Sequence, residues 1–98
     1  MLKKSKPYII AEIASAHQGD YRNLIRIAKH AYDANADLVK LQIFNLNQLI
    51  DKTHKDYKTF EKICIAPNNW KKVITNLLNN QMNLIIEPYD IQSLEIAS

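Results

Sequence analysis

Three short apolar runs divide the chain, and each is followed by a segment with helical spacing. The runs cover residues 8–13, 38–44 and 84–86, the last ending just before Glu87 and Pro88, and they are rich in β-branched and aromatic residues. Nearly continuous apolarity of this length is typical of strands that are covered on both faces of a parallel sheet. The pattern therefore predicts three buried strands.

The segments between these runs have the 3.6-residue period of amphipathic helices. Asp20 is a suitable N-cap for a first helix, whose apolar residues recur at i, i+3, i+4 and i+7 from Leu24. This helix is expected to end near Asn35, a residue that tolerates the left-handed C-cap conformation. Pro67 suits the first turn of a second helix. The apolar stripe of that helix consists of Trp70, Val73, Ile74, Leu77 and Leu78.

The predicted order of elements is β-α-β-α-β-(α), with a short helix over residues 57–63 in the connection 45–66 and a last helix over residues 91–97. Such alternation indicates an α/β fold with parallel strands and right-handed crossovers. Three strands alone leave sheet edges, so the pattern fits the N-terminal portion of a (β/α)8 TIM barrel, a fold of about 250 residues. We therefore expect residues 1–98 to form a single, incomplete barrel domain.

The composition excludes several classes of protein. The 98 residues include one cysteine and one glycine, and their net charge is +3. The lone Cys64 forms neither an internal disulfide nor a cysteine-rich zinc site, and the lone Gly19 excludes glycine-rich phosphate loops. The basic residues do not form a stripe, so no nucleic-acid partner is expected.

The N-terminal segment resembles a secretory signal only in part. Lys3, Lys4 and Lys6 precede an apolar stretch, but Glu12 interrupts it before it reaches the roughly 7–15 residues that a signal requires. No run approaches the about 18 apolar residues of a membrane span. We therefore expect a cytoplasmic protein without a membrane partner.

Candidate chemistry lies at the ends of the predicted strands, because reactive groups of parallel α/β proteins collect at the carboxyl ends of strands. The polar residues there form three groups: Glu12 with Ser15, His17 and Gln18; Lys40 with Gln42; and Glu87 with Asp90. Lys40 and Gln42 are two residues apart in one strand, so their side chains are expected on the same face.

Glu12 is the most informative of these residues. A carboxylate in an apolar strand costs several kcal/mol unless it is paired or hydrogen-bonded, which favours a functional role over chance. The alternative is a purely structural ion pair between Glu12 and Lys40. His17 is as compatible with an exposed loop residue as with a ligand contact. We expect Cys64 in the core, Phe60 as an apolar anchor, and His30 and His54 at the surface.

The motifs around these residues resemble those of the sialic acid synthase family. Residues 10–13 (IAEI) and 17–20 (HQGD) match the family pattern AEIG-x-NH-x-GD, residues 36–44 (ADLVKLQIF) match GAD-x-VKFQ-x-F, and residues 87–90 (EPYD) match T-P-F-D. The similarity continues through residues 61–63 and covers the chain from Tyr8 to Ala97. Several separated motifs in the same order make the resemblance specific.

This resemblance implies a (β/α)8 barrel, usually followed by an antifreeze-like domain. It implies a transferase that condenses phosphoenolpyruvate with an N-acetylated sugar, such as N-acetylmannosamine, to a nonulosonic acid. A divalent metal, Mn²⁺ or Mg²⁺, would polarise the aldehyde oxygen, with histidine ligands on later strands and none in this chain. The full-length protein would be a homodimer, and we expect the 98-residue chain alone to be inactive.

Carried over by position, the resemblance implies catalytic roles for Glu12 and Lys40. Glu12 would orient the sugar hydroxyls and a metal-bound water. Lys40 would hold the anionic phosphoenolpyruvate, and Gln42 would form hydrogen bonds in the same layer. His17 would contact the substrate or order the first loop, and Glu87 would stand among the substrate-binding residues.

Four positions depart from the family pattern. Ala14 replaces a glycine, Ala16 replaces an asparagine, and Gln18 stands where asparagine is common. Glu87 stands where the family has a threonine that contacts phosphate, and a carboxylate there would repel a phosphate. We therefore expect Glu87 to pair with Lys40 or a metal, or to indicate an altered anion site.

Other functions are compatible with the same residues. A non-catalytic remnant or assembly module would keep the packing pattern and lose the chemistry; Glu87 favours this alternative, and the set Glu12, Lys40 and Gln42 argues against it. A different barrel enzyme acting on a phosphorylated sugar or aldehyde is a further alternative. A small receiver-like domain is disfavoured because no pair of aspartates follows the first predicted strand.

Overall fold

The computed structural model describes residues 7–97, in which three strands alternate with helices. The strands are β1 (Ile10–Glu12), β2 (Leu38–Ile43) and β3 (Leu84–Pro88). The helices are α1 (Tyr21–Asp33), α2 (Leu46–Leu49), α3 (Tyr57–Ile63), α4 (Pro67–Asn79) and α5 (Ile91–Ala97). The predicted order is confirmed, with the single turn α2 as an addition. The basic residues Lys3, Lys4 and Lys6 lie outside the described residues.

The three strands form one parallel sheet in the order β1-β2-β3. Glu12 of β1 is aligned with Lys40 of β2, and Gln42 of β2 is aligned with Glu87 of β3. Each strand lies beside the strand that precedes it in the chain, so right-handed crossovers place the connecting helices on one face. The predicted parallel α/β architecture is therefore confirmed.

The hydrophobic core lies between this sheet and the two long helices. Alternate residues of β2 are buried against α1 and α4, which also pack against each other. The buried core residues of these three elements are Leu24 and Ala28 of α1, Val39, Leu41 and Ile43 of β2, and Trp70, Val73 and Leu77 of α4. Full burial of a large apolar side chain contributes about 1.5–3 kcal/mol, so this layer anchors both helices to the sheet.

The opposite face of the sheet is open in the described part of the chain, so the expectation of strands buried on both faces was wrong. Lys40 and Gln42 alternate with the buried residues of β2 and are partly exposed, and Ile10 of β1 is nearly half exposed. The reason is that residues 7–97 supply helices to one face only. Lys40 and Gln42 do share a face, as predicted.

The helix boundaries follow local capping. Asp20 accepts hydrogen bonds from the backbone N–H groups of Arg22 and Asn23 (3.0 and 3.4 Å), which confirms it as the N-cap of α1. Asn35 has the predicted left-handed conformation, with a φ of +75°. The predicted apolar stripe of α4 wrongly included Leu78, which is more than half exposed. Leu78 is adjacent in sequence to the buried Leu77 and therefore lies on a different side of the helix.

The connection between β2 and α4 contains the predicted helix α3 and one element that the pattern missed. Asn45 caps α2 by accepting a hydrogen bond from the backbone N–H of Asn47 (3.1 Å). Phe60 of α3 packs edge-to-face on Phe44, with ring centroids 6.3 Å apart, and is confirmed as the apolar anchor.

The remaining expectations concern exposed residues. His30 and His54 are exposed, as predicted, whereas Cys64 is only half-buried rather than part of the core. Cys64 lines a cavity of about 170 Å³ beside α5, and burial raises the pKa of its thiol. Between residues 7 and 97, every helix is too short or too polar to cross a bilayer.

Candidate active site

Five side chains meet at the carboxyl ends of the strands, and we call Glu12, Lys40, Gln42, Glu87 and Tyr89 the mouth cluster. The strand register explains their meeting, because it places Glu12 beside Lys40 and Gln42 beside Glu87 on the open face. Pro88 ends β3, so Tyr89 follows directly at the same edge. A parallel sheet with charged residues at this edge has the arrangement of an α/β enzyme site.

The centre of the mouth cluster is the ammonium group of Lys40. Its Nζ lies 3.6 Å from Oε1 of Glu12 and 3.5 Å from Oε1 of Glu87. These two carboxylates, Glu12 first and Glu87 second, raise the pKa of Lys40, so the ammonium stays charged at neutral pH. Both ion pairs are open to solvent, with side-chain exposures of 28% for Lys40, 49% for Glu12 and 42% for Glu87. Pairs this exposed contribute little to stability, which favours a functional explanation.

Two neutral donors complete the cluster. The side-chain amide of Gln42 donates to Oε1 of Glu12 (3.0 Å) and to Oε1 of Glu87 (3.3 Å). The hydroxyl group of Tyr89 donates to Oε1 of Glu87 (3.3 Å). Partial burial and the Glu87 carboxylate raise the pKa of Tyr89, so the phenol keeps its proton. Tyr89 was missed by the sequence analysis, although its position after Glu87 and Pro88 in a strand-end motif was a usable signal.

His17 makes none of these contacts. It lies in the loop between β1 and α1, on the side of the loop that faces the hydrophobic core. Its side chain is 3% exposed, and its ring is edge-to-face with Trp70, with centroids 6.2 Å apart. Nδ1 of His17 accepts a hydrogen bond from the backbone N–H of Gly19 (2.9 Å). Burial lowers the pKa of His17, partly opposed by Asp20, so the imidazole is neutral at pH 7. The exposed-loop alternative was wrong, and this geometry supports the loop-ordering role.

The loop between β1 and α1 is held in an unusual conformation. Three residues have positive φ angles: Ala14 (+48°), Gln18 (+54°) and Gly19 (+82°). Left-handed conformations cost a non-glycine residue about 1–2 kcal/mol. Such strain is concentrated at functional sites. The loop directly follows Glu12, so its conformation sets the chain direction beside the mouth cluster.

We expect Ala14→Gly to stabilise the protein by roughly 0.5–1 kcal/mol. Glycine avoids the cost of about 1–2 kcal/mol that a Cβ incurs in the left-handed conformation. It also loses more backbone entropy on folding, which offsets part of this stabilisation. Ala16→Gly in the same loop is the matched control, because Ala16 has no positive φ; it should destabilise by about 0.5–1 kcal/mol. Urea unfolding of both variants measures the difference, and destabilisation by Ala14→Gly would contradict the left-handed conformation.

Asp90 was a candidate site residue at the end of β3, but its side chain binds backbone groups of its own chain. Its carboxylate accepts hydrogen bonds from the backbone N–H groups of Asn45 (2.6 Å) and Ser93 (2.7 Å). Burial alone would raise the pKa of Asp90, but these hydrogen bonds outweigh burial and bring the pKa below its usual value. Asp90 therefore ties the beginning of α5 to the end of β2 and stands outside the mouth cluster.

The residues of this part of the chain do not fit a metal site. Within residues 7–97, no three His, Cys, Asp or Glu side chains are grouped so that they could hold a metal ion. The two carboxylates of the mouth cluster are instead turned to Lys40. No chemical step in this part of the chain is therefore assigned to a metal.

The solved structures that are similar to this chain include those of two bacterial proteins. The N-acetylneuraminic acid (sialic acid) synthetase of Leptospira borgpetersenii serovar Hardjo-bovis, in complex with citrate, has a TM-score of 0.78 and 20% identity, and the match covers 91% of this chain and 31% of that one. Spore coat polysaccharide biosynthesis protein E of Chromobacterium violaceum ATCC 12472 has a TM-score of 0.69 and 27% identity over 93% of this chain and 30% of that one. No family model and no curated protein sequence matches the chain.

The fold and the mouth cluster thus define an enzyme-like α/β chain with a singly wound parallel sheet. The two structures confirm the resemblance to the sialic acid synthase family that the motifs indicated. This chain spans about a third of the length of either protein.

Proposed function

We propose that this chain is the opening part of a (β/α)8 barrel synthase that condenses phosphoenolpyruvate with an N-acetylated sugar to a nonulosonic acid. The observation that carries the proposal is the meeting of Glu12, Lys40 and Gln42 on the open face of the sheet, at the carboxyl ends of the strands. These are the motif positions to which the resemblance assigns the substrates. The two similar structures, a sialic acid synthetase and a polysaccharide biosynthesis protein, support a sugar-biosynthetic function.

The barrel is supported by the winding of the sheet. In the order β1-β2-β3, each strand adds to the same growing edge and the helices cover one face, as in a barrel that closes on itself. A doubly wound sheet would reverse its strand order and place helices on both faces. The open face would then be the barrel interior, which further strands would enclose and side chains would fill. We propose in addition that the full-length protein is a homodimer and is located in the cytoplasm.

In the proposed reaction, each residue of the mouth cluster has a distinct task. Glu12 accepts hydrogen bonds from sugar hydroxyls and orients the sugar over the sheet. Lys40 supplies positive charge for the anionic phosphoenolpyruvate, and Gln42 fixes the Glu12 carboxylate through its amide. His17 holds the loop after β1 from below, through Gly19. A divalent metal would polarise the aldehyde oxygen, and its ligands would lie beyond the residues described.

The test is release of inorganic phosphate from phosphoenolpyruvate by the full-length protein in the presence of N-acetylmannosamine and Mn²⁺ or Mg²⁺. We expect turnover that requires both substrates, and a loss of at least tenfold in kcat/KM for Glu12→Gln, which keeps the shape and removes the charge. Glu61→Gln, an exposed glutamate of α3, is the control for the loss of one negative charge. Turnover that is unchanged in Glu12→Gln would contradict the proposed role of this carboxylate.

The second candidate is a non-catalytic remnant or assembly module, and one observation favours it. Glu87 already contacts Lys40, the cation that the reaction needs for its anionic substrate. A folded full-length protein that releases no phosphate with any N-acetylated sugar would support this candidate over the synthase.

A further inference from the structure

Lys40 is occupied from two sides by carboxylates of its own chain. Oε1 of Glu12 and Oε1 of Glu87 lie 3.6 and 3.5 Å from Nζ of Lys40. An ammonium has three N–H donors, and these two carboxylates are within reach of two of them. An anionic ligand that binds Lys40 must therefore compete with a carboxylate that is already there.

Glu87 has more donor partners than Glu12 has. Its Oε1 lies close to three donors: the ammonium of Lys40, the amide of Gln42 (3.3 Å) and the hydroxyl of Tyr89 (3.3 Å). Glu12 shares the first two of these donors and lacks the third. Tyr89 thus gives Glu87 a partner of its own, two residues further along the chain.

The cluster as a whole offers acceptors rather than donors to a ligand. Its two carboxylates outnumber its one ammonium, so its net charge is negative. The donors of Lys40, Gln42 and Tyr89 are directed at these carboxylates, and both carboxylate side chains are close to half exposed. Hydroxyl groups and amide N–H groups of a sugar are donors that suit such a surface, whereas a phosphate at neutral pH presents mainly acceptors.

We propose that Glu87, positioned by Tyr89, is a specificity-determining residue that competes with anionic ligands for Lys40 and Gln42 and thereby weakens the binding of anions at the mouth cluster. The proposal rests on the proposed function only in taking the mouth cluster as the substrate site. Glu87 acts as an internal anion, and an external anion binds Lys40 by displacing it.

The first experiment uses the full-length protein and inorganic phosphate as the anion probe. We expect Glu87→Gln to bind phosphate at least tenfold more tightly than the unmodified protein in a calorimetric titration at low salt. The gain should shrink at high salt, because part of the repulsion between exposed charges is screened. Glu95→Gln, an exposed glutamate of α5 outside the cluster, is the matched control and should change phosphate affinity less than twofold.

A second experiment separates the positioning role of Tyr89 from a merely structural one. Tyr89→Phe removes only the hydroxyl group, so it should loosen Glu87 and tighten phosphate binding by about two- to threefold. In the Glu87→Gln background the same substitution should have no effect, because Tyr89 acts through the carboxylate. A gain from Tyr89→Phe that persists in the double variant would overturn the positioning role.

Equal or weaker phosphate binding by Glu87→Gln, including undetectable binding by both proteins, would overturn the proposal. Its failure is distinguishable from failure of the proposed synthase reaction, since phosphate binding requires no turnover. An inactive protein whose phosphate affinity rises in Glu87→Gln would support the competition and contradict the synthase. An active synthase with unchanged phosphate affinity in Glu87→Gln would support the synthase and contradict the competition.

Discussion

Gly19→Ala is expected to destabilise the protein by about 2–4 kcal/mol. A Cβ at position 19 would lie 2.1 Å from the backbone carbonyl oxygen of Lys62, closer than any real contact. Because that oxygen belongs to α3 rather than to a flexible side chain, the loop or the helix must move. Forced overpacking costs about 1–3 kcal/mol, and the φ of +82° adds a further penalty of about 1 kcal/mol or more for a residue with a Cβ.

The measurement is the free energy of unfolding in urea, with Gln18→Ala as the control. Gln18 is exposed, lies in the same loop and already has a Cβ at a positive φ, so its truncation should cost less than about 1 kcal/mol. The Gly19 variant should also lose the hydrogen bond from its backbone N–H to Nδ1 of His17. A cost within about 1 kcal/mol of the control would show that the loop does not pack on Lys62 as described.

Lys40→Met is expected to lower kcat/KM of the full-length protein for phosphoenolpyruvate by at least 100-fold, the largest effect on activity. The substitution removes the only positive charge of the mouth cluster and leaves Glu12 and Glu87 uncompensated. Two carboxylates without a shared cation repel each other and any anionic substrate. Steady-state kinetics with varied phosphoenolpyruvate measures the loss, and Lys58→Met on the exposed side of α3 is the control for a lost lysine.

The double variant Lys40→Met/Glu87→Gln tests what Lys40 does. If Lys40 only neutralises Glu87, removing the charge of Glu87 restores activity. We expect no recovery beyond threefold, because Lys40 is proposed to contact the anionic substrate itself. Full recovery in the double variant would contradict that contact and leave Lys40 a purely structural partner of the carboxylate.

Much of the fold could be predicted from short segments of sequence. The span of α3 agrees with the prediction, and the end of α1 near Asn35 follows from the backbone preference of asparagine. The shared face of Lys40 and Gln42 follows from the two-residue period of a strand. Within the candidate site, Glu12 and Lys40 were singled out because charged groups in apolar runs need partners, and they are indeed partners.

The missed features depend on contacts between distant residues. His17 was left open between a surface and a site residue, and its burial is decided by the Trp70 ring of α4, more than fifty positions along the chain. The exposure of Leu78 is decided by how α4 sits on the sheet. Tyr89 became part of the site because Glu87 lies beside Gln42 in the register of β2 and β3.

The sequence by itself determined the order of elements, the ends of the helices and the polar character of the strand ends. These properties are local: a helix period, a capping side chain and a strand alternation involve residues a few positions apart. Only the tertiary structure decided which face of the sheet is open, which carboxylates share Lys40 and why position 19 must be glycine. The physical reason is that parallel pairing and loop packing join residues from 28 (Glu12 to Lys40) to 47 (Lys40 to Glu87) positions apart, and no local pattern specifies the distance between their atoms.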